Sequence, residues 1–266
     1  MSFAEVLESR CLLSASTPLD VTGSYAVFGV MGPRSRALLE SLSPDRFDDA
    51  SFPFGTSREV VVGTALVRAT RITYVGELGW ELYVPTELAR SVYEDLFRVG
   101  ADLGVVPAGY YAIESMRLEK GYRAFARELT TETGPVAAGL TFACKLRTGV
   151  DFLGRAAVEA ARQVPPARRV VSLVVGDPAA YLWGGELVLR DGEPAGQVTS
   201  AAWGATVGAS VGLALVGDRA SGTATKDWLE SGTWSVDLAG ERFGVQVSLR
   251  PPFDPEGHKL GREGNH

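Results

Sequence analysis

Two hydrophobic periods run along the chain, and the change from one to the other divides it. Both occur in the first 163 residues. Ser24-Tyr-Ala-Val-Phe-Gly-Val-Met31 is a nearly unbroken apolar run that predicts a buried strand. It breaks at Gly32-Pro33 and leads into a helix over Arg34–Leu42, with proline at its entry. Glu59–Arg68 and Thr70–Val75 are rich in β-branched residues and read as strands. Gly76-Glu77-Leu78-Gly79 reads as a turn, and Trp80-Glu-Leu-Tyr-Val84 alternates as a strand does. Beyond Thr86, a candidate N-cap, residues Leu88, Val92, Tyr93, Leu96 and Val99 fall on one helical face, and Gly100 is expected to end it. Further helices are predicted from Gly109 to Lys120 and from Gly154 to Arg162.

After Gln163-Val-Pro-Pro-Ala-Arg-Arg169 the helical period disappears, so the two prolines mark the expected domain boundary. Val170–Val175 reads as a strand. Glu186–Arg190 and Ala195–Val198 form a hairpin about Asp191-Gly192, and Thr233–Leu238 and Arg242–Leu249 form one about Ala239-Gly240. The pattern predicts an α+β domain over 1–163, then a small antiparallel barrel or sandwich over 169–257. Residues 258–266 are expected to be a disordered tail.

Composition narrows the chemistry. With 26 Lys+Arg against 32 Asp+Glu, the net charge of −6 argues against nucleic acid as a partner. No apolar run approaches the ~20 residues that cross a bilayer, and the start lacks a signal-peptide pattern, so a cytoplasmic location is expected. Both histidines, His258 and His266, lie near the C-terminus. Imidazole-based zinc sites and Ser-His-Asp or Cys-His catalysis are therefore not expected, and no metal is implied. Cys11 and Cys144 share no motif and read as reduced, partly buried thiols.

Three segments carry candidate chemistry. In Arg71–Val84, alternation places Trp80, Leu82 and Val84 on one face and Glu81 and Tyr83 on the other. Glu81 on a wet sheet face and Tyr74 in a core is the plain alternative to a site. In Gly109–Gly121, Arg117 shares a helical face with Ile113. It must snorkel to water or meet an acid, whether on a ligand or on a residue such as Glu81. Tyr122 and Phe125 follow, able to wall a flat ring or simply to fill a core. Trp203-Gly-Ala-Thr-Val-Gly208 matches no phosphate-loop pattern and reads as a turn between strands.

Four stretches, in order, resemble the folate-binding aminomethyltransferase family. This family comprises the glycine-cleavage T-protein and the C-terminal folate domains of dimethylglycine and sarcosine dehydrogenases. The stretches are Tyr25–Arg36 with its Gly-Pro-Arg-Ser-Arg, Arg71–Pro85, Ser115-Met-Arg-Leu-Glu-Lys-Gly-Tyr-Arg123 and Asp151-Phe-Leu-Gly-Arg155. The resemblance implies a ferredoxin-like α+β core, shortened at its N-terminus, followed by a small antiparallel β-barrel. It also implies tetrahydrofolate as acceptor in one-carbon transfer or N-demethylation of a small amine. By the same resemblance, Glu81 grips the pterin, Arg117 lines the site, and Tyr74 and Phe125 are aromatic walls. With Glu77, Tyr122 and Trp203 these make the candidate cofactor-binding set.

The family's first third, with its catalytic aspartate, has no counterpart here, so no catalytic residue is assigned. The family's Trp/Tyr-Gly-x-Asp reads Phe125-Ala-Arg-Glu128, and its Pro-x-Glu-Ala-Gly-Leu reads Pro135-Val-Ala-Ala-Gly-Leu140. Two alternatives follow: a folate-independent enzyme of specialised metabolism using the same pocket, and a non-catalytic folate-binding partner subunit of a dehydrogenase. A homodimer or a dehydrogenase partner chain is the expected assembly.

Overall fold

The computed structural model describes residues 19–260. They form two compact units, 19–108 with 256–260, and Gly109–Pro255.

The first unit contains strand β1 (Tyr25–Met31), helix α1 (Ser35–Leu42), strands β2 (Ser57–Val62), β3 (Ala65–Thr70) and β4 (Gly79–Pro85), and helix α2 (Ala89–Gly100). Its four strands pair antiparallel in the order β1-β4-β3-β2. Leu38 and Leu39 of α1 and Val92 and Leu96 of α2 share one core with Val60, Val62, Val67, Trp80, Leu82 and Val84. Both helices therefore cover one sheet face. Trp80 is fully buried, with the Phe47 ring edge-on at 5.4 Å. A buried Trp removes some 150–250 Å² from water, worth roughly 4–6 kcal/mol. A one-residue slip of β4 would forfeit that and carry Glu81 into the core. Packing of Trp80 thus fixes the face that Glu81 presents.

The second unit contains helix α3 (Tyr110–Glu119), helix α4 (Arg155–Ala161), strands β5 (Arg169–Val175), β6 (Leu187–Arg190), β7 (Glu193–Gly204) and β8 (Ala209–Val216), helix α5 (Lys226–Glu230), and strands β9 (Trp234–Leu238) and β10 (Glu241–Ser248). The six strands close into an antiparallel barrel in the order β10-β5-β8-β7-β6-β9. Val171, Leu173, Val188, Val198, Val216 and Val236 fill it. Of the two expected architectures it is the barrel.

Several expected boundaries move, each for a local reason. Glu59–Arg68 is a hairpin rather than one strand, because Gly63 takes a φ of +59° and reverses the chain. Residues 71–78 lie outside any strand: Arg71 turns inward, donating to the Phe52 carbonyl at 2.7 Å and pairing with Asp49 at 2.7 Å. Thr86 does not cap α2; its hydroxyl donates to the Gly23 carbonyl. The α-helix itself ends at Gly100, as expected. A 3-10 turn continues to Leu103 and stops at Gly104, whose φ is +72°.

The two compact units meet at 108/109, so residues 163–169 lie within the second of them. Leu118 of α3 is fully buried with Val170, Val211 and Leu213 of the barrel, which ties the helix to the second unit. The tail expected from 258 is ordered to 260: His258–Leu260 is a 3-10 turn, and the Leu260 carbonyl accepts from Arg71 at 3.4 Å. His266 and Cys11 lie outside the described residues; Cys144 is a half-buried free thiol.

Candidate functional site

In the first unit the candidate centre is the open face of the sheet. The strand register sets Gly29, Glu81, Thr70 and Ser57 in one row across it, and Val27, Tyr83, Arg68 and Glu59 in the next. The Glu81 carboxylate is flanked by a glycine on β1 and by Thr70 on β3. Thr70 turns its hydroxyl away to Ser57 at 3.0 Å. Small neighbours leave the half-buried carboxylate approachable from above. Its Oε2 accepts the Tyr83 phenol at 3.0 Å, and its Oε1 accepts no hydrogen bond among the described residues. Burial pushes the Tyr83 phenol above its ordinary value, and the bond to Glu81 pushes it further, so the phenol keeps its proton and remains a donor.

The loop that leads into β4 is organised by Thr73. Its hydroxyl accepts the Val75 and Gly76 amides at 3.2 and 3.1 Å, an ST-type turn that shapes the entry to the strand. Tyr74 is half-buried in this loop. The Glu77 carboxylate lies 3.5 Å from Lys259 and is partly neutralised there.

In the second unit Arg117 has no accessible surface. Of the two fates open to an arginine beside an apolar stripe it meets acids, and they are Glu114 and Glu128. Nε donates to Glu114 at 2.9 Å, while Nη1 donates to Glu128 at 3.2 Å and to the Tyr122 carbonyl at 2.9 Å. The guanidinium is spent on holding the chain that follows its helix.

Glu128 is the hub of that arrangement. Its carboxylate accepts the Thr199 hydroxyl at 2.6 Å, the Ser200 hydroxyl, and the Ala124 amide at 2.8 Å, besides Arg117. Burial disfavours the charged form, yet the Ala124 amide, the two hydroxyls and Arg117 outweigh it and hold the pKa below the ordinary glutamate value. The turn that Glu128 pins closes with Ala126 N–H on the Leu129 carbonyl at 2.9 Å, and Ala126 sits at a φ of +65°. Ala126 thus takes a left-handed conformation that glycine adopts more readily, and Glu128 fixes the turn around it.

The other candidates divide. Phe125, at 88% exposed, is presented on that turn rather than packed in a core. Tyr122 is half-buried, its phenol pushed up by burial and then by Asp254. Trp203 is at the end of β7, its carbonyl accepting the Ser115 hydroxyl at 2.6 Å. The following segment is the expected turn, held by Glu119, whose buried carboxylate accepts the Thr206 and Val207 amides at 2.7 and 2.8 Å. Sequence reasoning missed Glu119 and the role of Glu128. The one local signal was the Glu114–Arg117 spacing of three, which places the two on one helix face.

A concavity of about 570 Å³ on the second unit is lined by Arg168, Gln197, Thr199, Leu215 and Arg219, among others. None of the candidate set lines it.

Comparison with known proteins adds the following. Residues 6–148 match the GCVT N-terminal domain, and residues 168–254 match the glycine cleavage T-protein C-terminal barrel domain. The chain is 36% identical to mitochondrial sarcosine dehydrogenase of Mus musculus, over 95% of this chain and 27% of that protein. It is 34% identical to the mitochondrial pyruvate dehydrogenase phosphatase regulatory subunit of the same organism, over 92% of this chain and 29% of that one. The crystal structure of glycine cleavage system aminomethyltransferase T from Bartonella henselae superposes with a TM-score of 0.72 at 24% identity. It covers 87% of this chain and 60% of that one, a likeness of fold. The chain thus spans between a quarter and a third of the length of these two longer relatives.

Proposed function

Since the chain belongs to the glycine cleavage T-protein family, with both its GCVT N-terminal and its C-terminal barrel domains, we propose that it binds tetrahydrofolate and serves one-carbon transfer or N-demethylation of a small amine. The observation that carries this reading is the state of Glu81. It is an ionisable acid on an open sheet face, flanked by glycine and threonine, with one oxygen held by Tyr83 and the other free. A carboxylate so placed accepts parallel N–H bonds from the edge of a pterin, and a protonated phenol beside it fixes its plane.

Bound tetrahydrofolate supplies the amine nitrogens that receive the one-carbon unit. The chain's own contribution is to orient that heterocycle, and orientation supplies a large part of the rate in such reactions. Equilibrium dialysis against tetrahydrofolate tests the reading. Saturable binding by the wild-type chain, weakened about tenfold or more in Glu81→Gln, is expected from the loss of one charge-assisted pair. Absence of binding at millimolar folate overturns it.

The likeness to a protein named as a regulatory subunit favours a second reading, a non-catalytic folate-binding partner of a dehydrogenase. It keeps the binding and predicts no amine turnover by the purified chain. Folate-dependent turnover in the absence of any other protein removes it.

A further inference from the structure

The strand β1 stands at one edge of its sheet. It pairs with β4 on one side, and among the described residues no strand pairs with the other. Edge strands of monomers are guarded by charged side chains, proline, bulges or shortness. β1 has none of these. It is seven residues long, Tyr-Ala-Val-Phe-Gly-Val-Met, without charge or proline, and it keeps regular register with β4 at every position.

The phase of the ladder shows which backbone groups are unpaired. One residue past the last pair of the register, the Gly32 amide donates to the Leu78 carbonyl at 2.8 Å. Hydrogen-bonded and non-hydrogen-bonded pairs alternate in an antiparallel ladder. The even-numbered residues of β1 therefore spend their groups on β4, and Tyr25, Val27, Gly29 and Met31 turn theirs to the free edge. Pro85 opposite Tyr25 fits this phase, because it has no N–H to offer.

Apolar side chains surround that edge on both faces. Tyr25 and Val27 are 46% and 52% exposed on the open face. On the helix face the Phe28 ring meets Tyr93 at 5.9 Å and Tyr93 meets Phe97 at 4.6 Å, with Tyr93 itself 45% exposed. The charges flanking the strand are opposite in sign: exposed Asp20 precedes it and exposed Arg34 follows it.

We propose that this edge is a homodimer interface, with β1 pairing antiparallel to β1 of a second copy of the chain. A two-fold axis at Phe28 sets Tyr25 against Met31 and Val27 against Gly29. Those are the residues whose backbone groups are free, so the phase closes without a slip. The apposition brings the acidic lead-in of each copy beside the basic exit of the other, which suits a second copy of the same strand. A chain of net charge −6 meets its like here along an uncharged seam. Two four-stranded sheets become one of eight strands. The inference does not depend on the folate reading.

Sedimentation equilibrium of the full chain tests it. The wild type is expected to sediment as a dimer. Val27→Lys puts like charges across the seam without touching a bond to β4, and it is expected to weaken the dimer about tenfold or more while leaving the far-ultraviolet spectrum unchanged. Leu66→Lys makes a similar change at a residue 56% exposed on the inner strand β3, and it is expected to leave the dimer intact. Tyr25→Lys repeats the first arm should Val27→Lys fail to fold. A monomeric wild type overturns the proposal, whatever covers its edge. So does a dimer that the β1 and Leu66 variants weaken equally, or that neither weakens.

Discussion

Glu81 in the first unit and Glu128 in the second are the same side chain in opposite settings. Glu81 stands on an open sheet face with a single phenol for company and one oxygen free. Glu128 is 1% exposed, and both its oxygens are occupied by an amide, two hydroxyls and a guanidinium. A group that is to hold a ligand must keep bonding capacity in reserve. A group that is to hold the chain cannot, because an unmet buried charge costs several kcal/mol. On the proposed reading the two glutamates separate recognition from architecture, and Arg117, paired to Glu128, stands with the latter.

That division is most severely tested by removing the buried partner. Arg117→Ala leaves Glu128 a buried acid without its cation, held only by the Ala124 amide and the Thr199 and Ser200 hydroxyls. It is expected to lower stability by about 3–5 kcal/mol in a denaturant melt. A loss below ~1 kcal/mol, ordinary for an accessible charge, would show Arg117 to be free for other work.

Acid gives a second measure of the same network. The folded pKa of Glu128 lies below its unfolded value of about 4.3, so its contribution is complete above that pH and fades as pH falls through the lower folded value. The melting temperature of the wild type is expected to fall more steeply there than that of Glu128→Gln. Parallel curves would contradict the assignment.

Ala126 offers a smaller and opposite effect. A non-glycine residue held at a φ of +65° stores about 1 kcal/mol, and Ala126→Gly is expected to recover roughly half to all of it against the added freedom of the unfolded chain. A destabilised glycine variant would mean that the turn is not strained. Smallest of all, Glu81→Gln is expected to shift stability by less than ~0.5 kcal/mol, since its carboxylate holds nothing but Tyr83.

Much of the architecture was legible in the chain. β1, β4, α2 and both barrel hairpins follow from period and turn residues, because each buries one face against a core. What escaped was set by distant partners. Nothing local in Ala209–Val216 distinguishes the central barrel strand β8 from a loop rich in small residues. It becomes a strand by pairing with β5 and β7. Helix α3 buries Leu118 with Val170, Val211 and Leu213, partners far along the chain that no local pattern names.

At the site, alternation about Trp80 foretold the face of Glu81, while Arg117 was legible as a charge in need of an acid but not as to which. Its partner Glu128 looked like a broken motif. What holds Glu128, the hydroxyls of Thr199 and Ser200, lies some 70 residues away and is invisible to local pattern.

The central claim, that Glu81 is the ligand-facing acid, is tested most directly by melting the wild type and Glu81→Gln with and without tetrahydrofolate. Ligand at about a hundred times its dissociation constant stabilises the folded state by roughly 2.7 kcal/mol. The account predicts a rise in Tm of matching size for the wild type and almost none for the variant, whose Tm without folate is unchanged. Equal rises in both proteins would contradict it.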